Sequence, residues 1–331
     1  MTGMGTSDRR RNVAVFGASG TIGRAVVKRL VREGHSVTAV VRAGSEHTLA
    51  EFEQATIIAV DVGDPAELAQ RVFGGGSYDS VISCLASRSG APKDAWAIDY
   101  QANANLLTAA KQAGVAQFVL LSAICVQKPL LAFQHAKLEF EAALQKSGLT
   151  WSIVRPTAFF KSLSGQVERV RQGKPFLIFG DGALTRCKPI SDRDLAAYIV
   201  GCLDQSERHN TVLPIGGPGP AITLRQQGEM LFELTGEEPR FQSVPLAFFK
   251  LASRLLSVGA GVFGWFAEKA EYARIAHYYA SESMLVLDPD SGEYSAELTP
   301  EFGSDTLRDH YASMLEAGLP DAASPATPAA G

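Results

Sequence analysis

The stretch that decides the fold is Val13-Ala-Val-Phe-Gly17-Ala-Ser-Gly20-Thr-Ile-Gly23. Residues 13–16 form a short, continuous apolar run, the pattern of a strand buried on both faces. Three glycines follow at G-x-x-G-x-x-G spacing, and Ile22, Val26, Val27, Leu30 and Val31 then recur at helical intervals. A tight turn between strand and helix can be a plain connection. Here the strand before it, the amphipathic helix after it and a second strand at 36–41 favour a dinucleotide-binding turn. Residues without a β-carbon let the backbone approach a pyrophosphate, and the free N–H groups and dipole of the helix start attract it. The expected contacts are Gly17, Ser19, Gly20, Thr21, Ile22 and Gly23.

Outward from this turn, further apolar strands are predicted at 56–60, 80–84, 118–121 and 151–154, with helical stretches at 66–73 and 98–113. Strands apolar throughout, alternating with helices, predict an α/β fold: a doubly wound, Rossmann-type parallel sheet covered on both faces. Ser191 opens a helix through Ala196, Ala197 and Ile199. The turn-rich PIGGPGP after residue 213 reads as a boundary, and a helix opened by Thr223 follows over 222–234. The expected organisation is a flexible arm at 1–11, a nucleotide-binding domain at 12–212, a smaller and mostly helical substrate-binding part at 213–318, and a Pro/Ala/Ser tail at 319–331 without the apolar residues a core needs. Residues 244–266 are strongly apolar, but Lys250, Arg254, Pro245 and three glycines argue against a membrane span and for a lid or an interfacial helix in peripheral contact with a membrane.

A net charge of -4 over 331 residues, with 20% charged and 46% hydrophobic residues, gives no footprint for a nucleic-acid partner. The four cysteines contain no C-x-x-C pair, and no His/carboxylate/Cys cluster has metal spacing, so no metal is expected. The N-terminus is basic without the apolar run of a signal peptide. At the end of the second strand, where an acidic residue would read the ribose 2′-hydroxyl of NAD, stands Arg42. Either it pairs with a 2′-phosphate, which selects NADPH, or it is a solvated surface arginine. Asp61, after the third strand, either approaches the adenine or caps a turn with Asp64.

Reductases of the short-chain dehydrogenase type often carry Tyr-x-x-x-Lys on the helix after the fifth strand, with a serine at that strand's end. Here the residues are Ser122 and Phe133-Gln-His-Ala-Lys137, so the phenol is missing while Lys137 is kept. Ser122 and Lys137 are the candidate catalytic residues; the alternatives are a strand-end hydroxyl bonded locally and a surface lysine. Carbonyl reduction gains most from an acid that protonates an alkoxide, whereas reduction of a conjugated C=C bond produces no alkoxide. His135 points elsewhere on the helix.

The stretches FVLLSAICVQKPLLAFQHAKLEFEAAL, SIVRPTAFFKSLSGQVERV, GKPFLIFGDG, CKPISDRDLA and HYYASESMLVLDPDSGEYSAE, together with the glycine turn, carry a resemblance over about residues 12–318. The chain resembles the 3,8-divinyl (proto)chlorophyllide 8-vinyl reductases, atypical short-chain dehydrogenases close to NmrA-like proteins. That resemblance implies NADPH as cofactor, a divinyl chlorophyllide or related Mg-tetrapyrrole as substrate, and conversion of its 8-vinyl group to ethyl. It places Lys137 by the nicotinamide ribose and Pro156, Thr157, Ala158 and Phe159 beside the nicotinamide. Val62, Cys84, Leu85 and Ala86, at the ends of the third and fourth strands, complete the expected cofactor contacts. Phe133, Phe160, Phe248 and Trp265 are the expected aromatic walls for a flat macrocycle. The missing transit peptide departs from the plant members and implies a bacterial, cytoplasmic protein, peripheral to a photosynthetic membrane if 244–266 touches one. The alternatives are a reductase of another conjugated apolar substrate and a non-catalytic NADP(H)-binding redox sensor or assembly subunit.

Overall fold

The structure, a computed structural model, describes residues 10–46, 52–246 and 264–317. Its main sheet has seven strands: β1 (Asn12–Phe16), β2 (Ser36–Val41), β3 (Ala55–Ala59), β4 (Ser80–Ser83), β5 (Gln117–Leu121), β6 (Thr150–Pro156) and β7 (Thr211–Ile215). The order is β3-β2-β1-β4-β5-β6-β7, and every neighbouring pair is parallel. The order reverses between β1 and β4, which opens a crevice at the carboxyl ends of the strands.

The continuous apolar character of β1 follows from this topology. Val13 and Val15 enter a core with Val26 and Leu30 of α1 (Thr21–Arg32) and with Leu195 and Ile199 of the helix Asp192–Gly201. Ala14 and Phe16 face the other way, toward Leu106 and Ala110 of the helix Asn103–Gln112 and Phe140 of the helix Ala132–Gln145. Both sheet faces are therefore dry, and a polar residue at any of these four positions would sit in a core. The α/β reading of the sequence agrees with this architecture.

The expected boundary at 212/213 is corrected by β7, which runs across it and completes the sheet by pairing Arg155 with Pro214. Proline is tolerated there because β7 is an edge strand. The second lobe is mostly helical among its regular elements, as expected, but it is not confined to residues after 213. Its core joins Phe160, Val167, Phe176 and Ile178 with Leu231, Phe232, Leu307 and Tyr311. Strand Phe176–Phe179 pairs in parallel with Phe241–Val244. A further helix, Gly264–Ser281, docks on the nucleotide-binding domain through Tyr278, which packs with Cys125, Leu131 and Phe133.

No helix among the described residues is long and apolar enough to cross a membrane. The 244–266 segment, Phe248 included, lies mostly outside the described residues. Trp265 falls in the first turn of the helix Gly264–Ser281.

Candidate functional site

The glycine turn sits at the carboxyl end of β1, where its residues serve distinct purposes. Gly17 has φ +70°, and a β-carbon there would lie 2.6 Å from the carbonyl oxygen of Cys84. At Gly23 a β-carbon would lie 2.1 Å from Gly17 O, so α1 can pack on the turn only through a glycine. Gly20 precedes α1 without any capping side chain, and the first turn of the helix holds no acid. The amides of that turn have no intrahelical acceptor and no carboxylate competing for them, which leaves a built anion cradle.

The cradle opens into a cavity of about 560 Å³. Its walls include Gly17, Ser19, Gly20, Thr21, Ile22 and Gly23 from the turn, and Arg42, Val62, Cys84, Leu85 and Ala86 from the ends of β2, β3 and β4. These are the positions singled out in the sequence, brought together from four separate loops. Arg42 is exposed and makes no ion pair among the described residues. Lys161 and Arg88 line the same cavity, and Lys161 Nζ donates to Thr21 Oγ1 at 3.0 Å. Arg88 lies in no recognisable motif, and the motif stretch 152–170 does not single out Lys161; the fold brings both to the cavity, Lys161 against the glycine turn. Burial pushes the Cys84 thiol up to about 12, so this cleft residue stays neutral. The residues present fit a dinucleotide, because the uncapped start of α1 borders the cavity and the lining charges, Arg42, Arg88 and Lys161 against Asp94, are net positive.

Asp61 takes the second of its two readings. Its Oδ1 accepts from the amide of Gly63 at 2.8 Å, and Asp64 caps the following turn through Ala66 N at 2.8 Å.

A second cavity, of about 520 Å³, adjoins the first. Pro156, Thr157, Ala158 and Phe159 line it, with Cys125, Phe179, Cys187, Met284 and Tyr279 among the other walls. Phe159 and Ser162 belong to both cavities. The two cavities thus adjoin at Phe159 and Ser162, one bordered by the glycine turn with Arg42, Arg88 and Lys161, the other lined mainly by apolar side chains. Although 45% of the Tyr279 surface stays accessible, desolvation at its hydroxyl end, with the Cys125 thiol beside it, holds the hydroxyl well above the usual phenol range. Thr157 turns its hydroxyl away and donates to Lys188 O.

Neither candidate catalytic residue, Lys137 or Ser122, is among those that line the two cavities. Lys137 Nζ is 2.9 Å from Asp99 Oδ1, with the two side chains 11% and 0% exposed. Asp99, which sequence reasoning missed, follows the cleft residue Ile98 and also accepts from the amide of Ser87, next to Ala86. Its other oxygen, Oδ2, is buried without a hydrogen-bond partner among the described residues. Ser122 takes the structural reading: its hydroxyl donates to Glu141 Oε1 at 2.5 Å, and Glu141 is held by Arg155. A hydroxyl committed to a buried carboxylate is not presented to a substrate.

Two expected aromatic walls are corrected as well. Phe133 is 9% exposed and packs in the cluster around Tyr278, while Phe160 is 4% exposed in the core of the second lobe, its ring 5.4 Å from that of His310. Neither lines the apolar cavity. Adjacent side chains at the start of a helical turn diverge, so Phe159 faces the cleft and Phe160 the core. No group of three or more potential metal ligands occurs among the described residues.

Comparison with known proteins matches residues 17–206 to a family of NAD(P)H-binding domains. Among solved structures, an NADPH-dependent quinone oxidoreductase of Escherichia coli, complexed with NADPH, superposes with a TM-score of 0.67 at 20% identity, covering 92% of this chain and 99% of that one. AtPrR2, solved with NADP+ and (+)pinoresinol, gives 0.66 at 18% identity over 92% and 99%. At these identities the likeness concerns the fold. Sequence relatives are much nearer. The chloroplastic divinyl chlorophyllide a 8-vinyl-reductase of Arabidopsis thaliana is 50% identical over 323 residues, 93% of this chain and 78% of that protein. The enzyme of the same name from Oryza sativa subsp. indica is 49% identical over 93% and 79%. The photosystem II assembly factor Ycf39 of Synechocystis is more distant, at 22% over 83% and 82%. With half of its residues shared along nearly its whole length, this chain belongs to the divinyl chlorophyllide a 8-vinyl-reductase family.

Proposed function

We propose that the protein catalyses NADPH-dependent reduction of the 8-vinyl group of divinyl chlorophyllide, or a closely related Mg-tetrapyrrole, to ethyl. The observation that carries this reading is the junction at Phe159 and Ser162, where the nucleotide cleft runs into an apolar cavity. A cavity of about 520 Å³ is within the usual range for a small-molecule site, roughly 300–1,000 Å³. A conjugated, mostly apolar substrate is what its walls accept.

The first-turn amides of α1 and Lys161 hold the pyrophosphate, Arg42 reads the 2′-phosphate, and Lys137, oriented by Asp99, serves the nicotinamide ribose. When bound, the reduced nicotinamide supplies the hydride. Saturating a vinyl group also requires a proton on its second carbon. Tyr279 Oη, on the cavity wall, keeps its proton through the neutral range and is the donor in this reading, regenerated from solvent. Apolar walls exclude water from the developing charge, which the conjugated macrocycle delocalises.

Anaerobic incubation of the purified protein with NADPH and divinyl chlorophyllide a is expected to move the pigment's Soret band to the blue with matching loss of NADPH absorbance. NADPH binding without any pigment change would overturn the reading in favour of a non-catalytic sensor.

A further inference from the structure

The apolar cavity carries an unusual charge distribution. Arg186 and Glu282 are its charged lining residues. Glu282 is already neutralised: Lys128 Nζ donates to both of its oxygens, at 2.9 and 2.8 Å, and Tyr294 Oη donates at 2.8 Å. Arg186 differs. Its guanidinium is exposed and has no carboxylate within ion-pair distance among the described residues. Lys188, two residues on, is buried and paired with Glu301, so it offers no alternative cation.

The backbone around Arg186 is well held. Its amide donates to Ser283 Oγ at 3.0 Å, its carbonyl accepts from Met284 N at 2.9 Å, and the strand Arg186–Cys187 pairs antiparallel with Ile222–Thr223. The guanidinium is therefore presented from a fixed strand at the rim that the apolar cavity shares with a neighbouring surface hollow containing Glu297. Glu297 does not pair with it. That carboxylate is held low first by backbone N–H and then by Ser295, with the charges of Arg186 and Lys188 adding at longer range.

An apolar cavity whose one uncompensated lining charge among the described residues is a planar guanidinium at the rim suits a ligand that is apolar over most of its surface and anionic at one edge. A chlorophyllide has that form: a flat macrocycle with a free propionate, which esterification removes. Resting on the proposed reductase function, we infer that Arg186 is a specificity residue that binds the substrate's carboxylate and makes the protein select the free acid over its ester. A fork of two N–H donors matches a carboxylate bidentately, as a lysine would not.

The test measures binding of divinyl chlorophyllide a and its methyl ester by pigment fluorescence in the presence of NADP+, together with turnover of each with NADPH, for the native chain, Arg186→Gln and Arg186→Lys. The expected result is a preference for the free acid of about ten- to a hundredfold in the native chain. Arg186→Gln should lose that preference by weakening the acid alone, and Arg186→Lys should keep part of it. Equal weakening of acid and ester, or an undiminished preference in Arg186→Gln, would overturn the assignment while leaving the reductase reading intact. Failure of the native chain to bind or reduce either pigment would overturn both. The Arg186 side chain makes no ion pair and its backbone bonds survive substitution, so the variants are expected to fold.

Discussion

Lys137 Nζ and Asp99 Oδ1, 38 positions apart in the chain, meet at 2.9 Å beneath the wall of the nucleotide cleft. The lysine was visible in the sequence as the survivor of a Tyr-x-x-x-Lys pair. Its partner was not. The carboxylate lies on an irregular helical stretch, Trp96–Ala102, and only the packing of that stretch against the helix Ala132–Gln145 brings the two together.

Breaking a buried ion pair from one side leaves an uncompensated charge. Asp99→Leu is expected to cost about 3–5 kcal/mol in urea denaturation, and the double variant Asp99→Leu/Lys137→Met much less than that. If the single and double variants unfold at the same urea concentration, the pair is not the electrostatic unit described. Both should also lose turnover, because neither retains an oriented ammonium.

Arg42 stands where an acid would select NADH. Arg42→Ala should weaken NADPH binding by about ten- to a hundredfold, the worth of a charge-assisted hydrogen-bond pair, and leave NADH binding nearly unchanged. Titration of nicotinamide fluorescence with both cofactors checks this; equal losses would remove Arg42 from the 2′-phosphate.

Tyr279→Phe separates proton delivery from substrate binding. Loss of the wall hydroxyl should lower kcat by about 10²–10⁴ while pigment affinity stays close to the native value. An unchanged kcat would mean that the proton comes from another group or from water.

The cysteines make a pH prediction. Burial raises the Cys84 and Cys187 thiols from 9.0 to about 12 and Cys202 to about 11. Between pH 9 and 11 the unfolded chain has released protons that the folded chain still holds, so stability falls as pH rises through this window. The slope is at most about 1.4 kcal/mol per pH unit for each thiol. Below pH 8 the three groups contribute no pH dependence. Unfolding midpoints at pH 7.5, 9 and 10.5 for the native chain and for Cys187→Ala/Cys202→Ala measure it: the double variant should show the shallower decline. Parallel curves would show that the thiols are not the groups responsible.

The sequence by itself determined the sheet, the nucleotide cradle and the family. Each is a local property: apolar runs that only a two-faced sheet can bury, glycines where a β-carbon would strike Cys84 O or Gly17 O, and long motifs shared with relatives. Tertiary structure alone decided how the apolar end of the cleft is built. Phe133 and Phe160 carry the right chemistry for a macrocycle wall, yet their neighbours turn them into cores. Residues 160–187 leave the first domain to form a lobe with two later segments of the chain, because Phe176 and Ile178 are buried in one core with Phe232 and Tyr311. Arg186 and Asp99 have no motif to announce them, and the motif stretches that contain Lys161 and Tyr279 do not single them out. Their significance is a matter of which charges meet and which are left unpaired, and that depends on contacts between residues far apart in the chain.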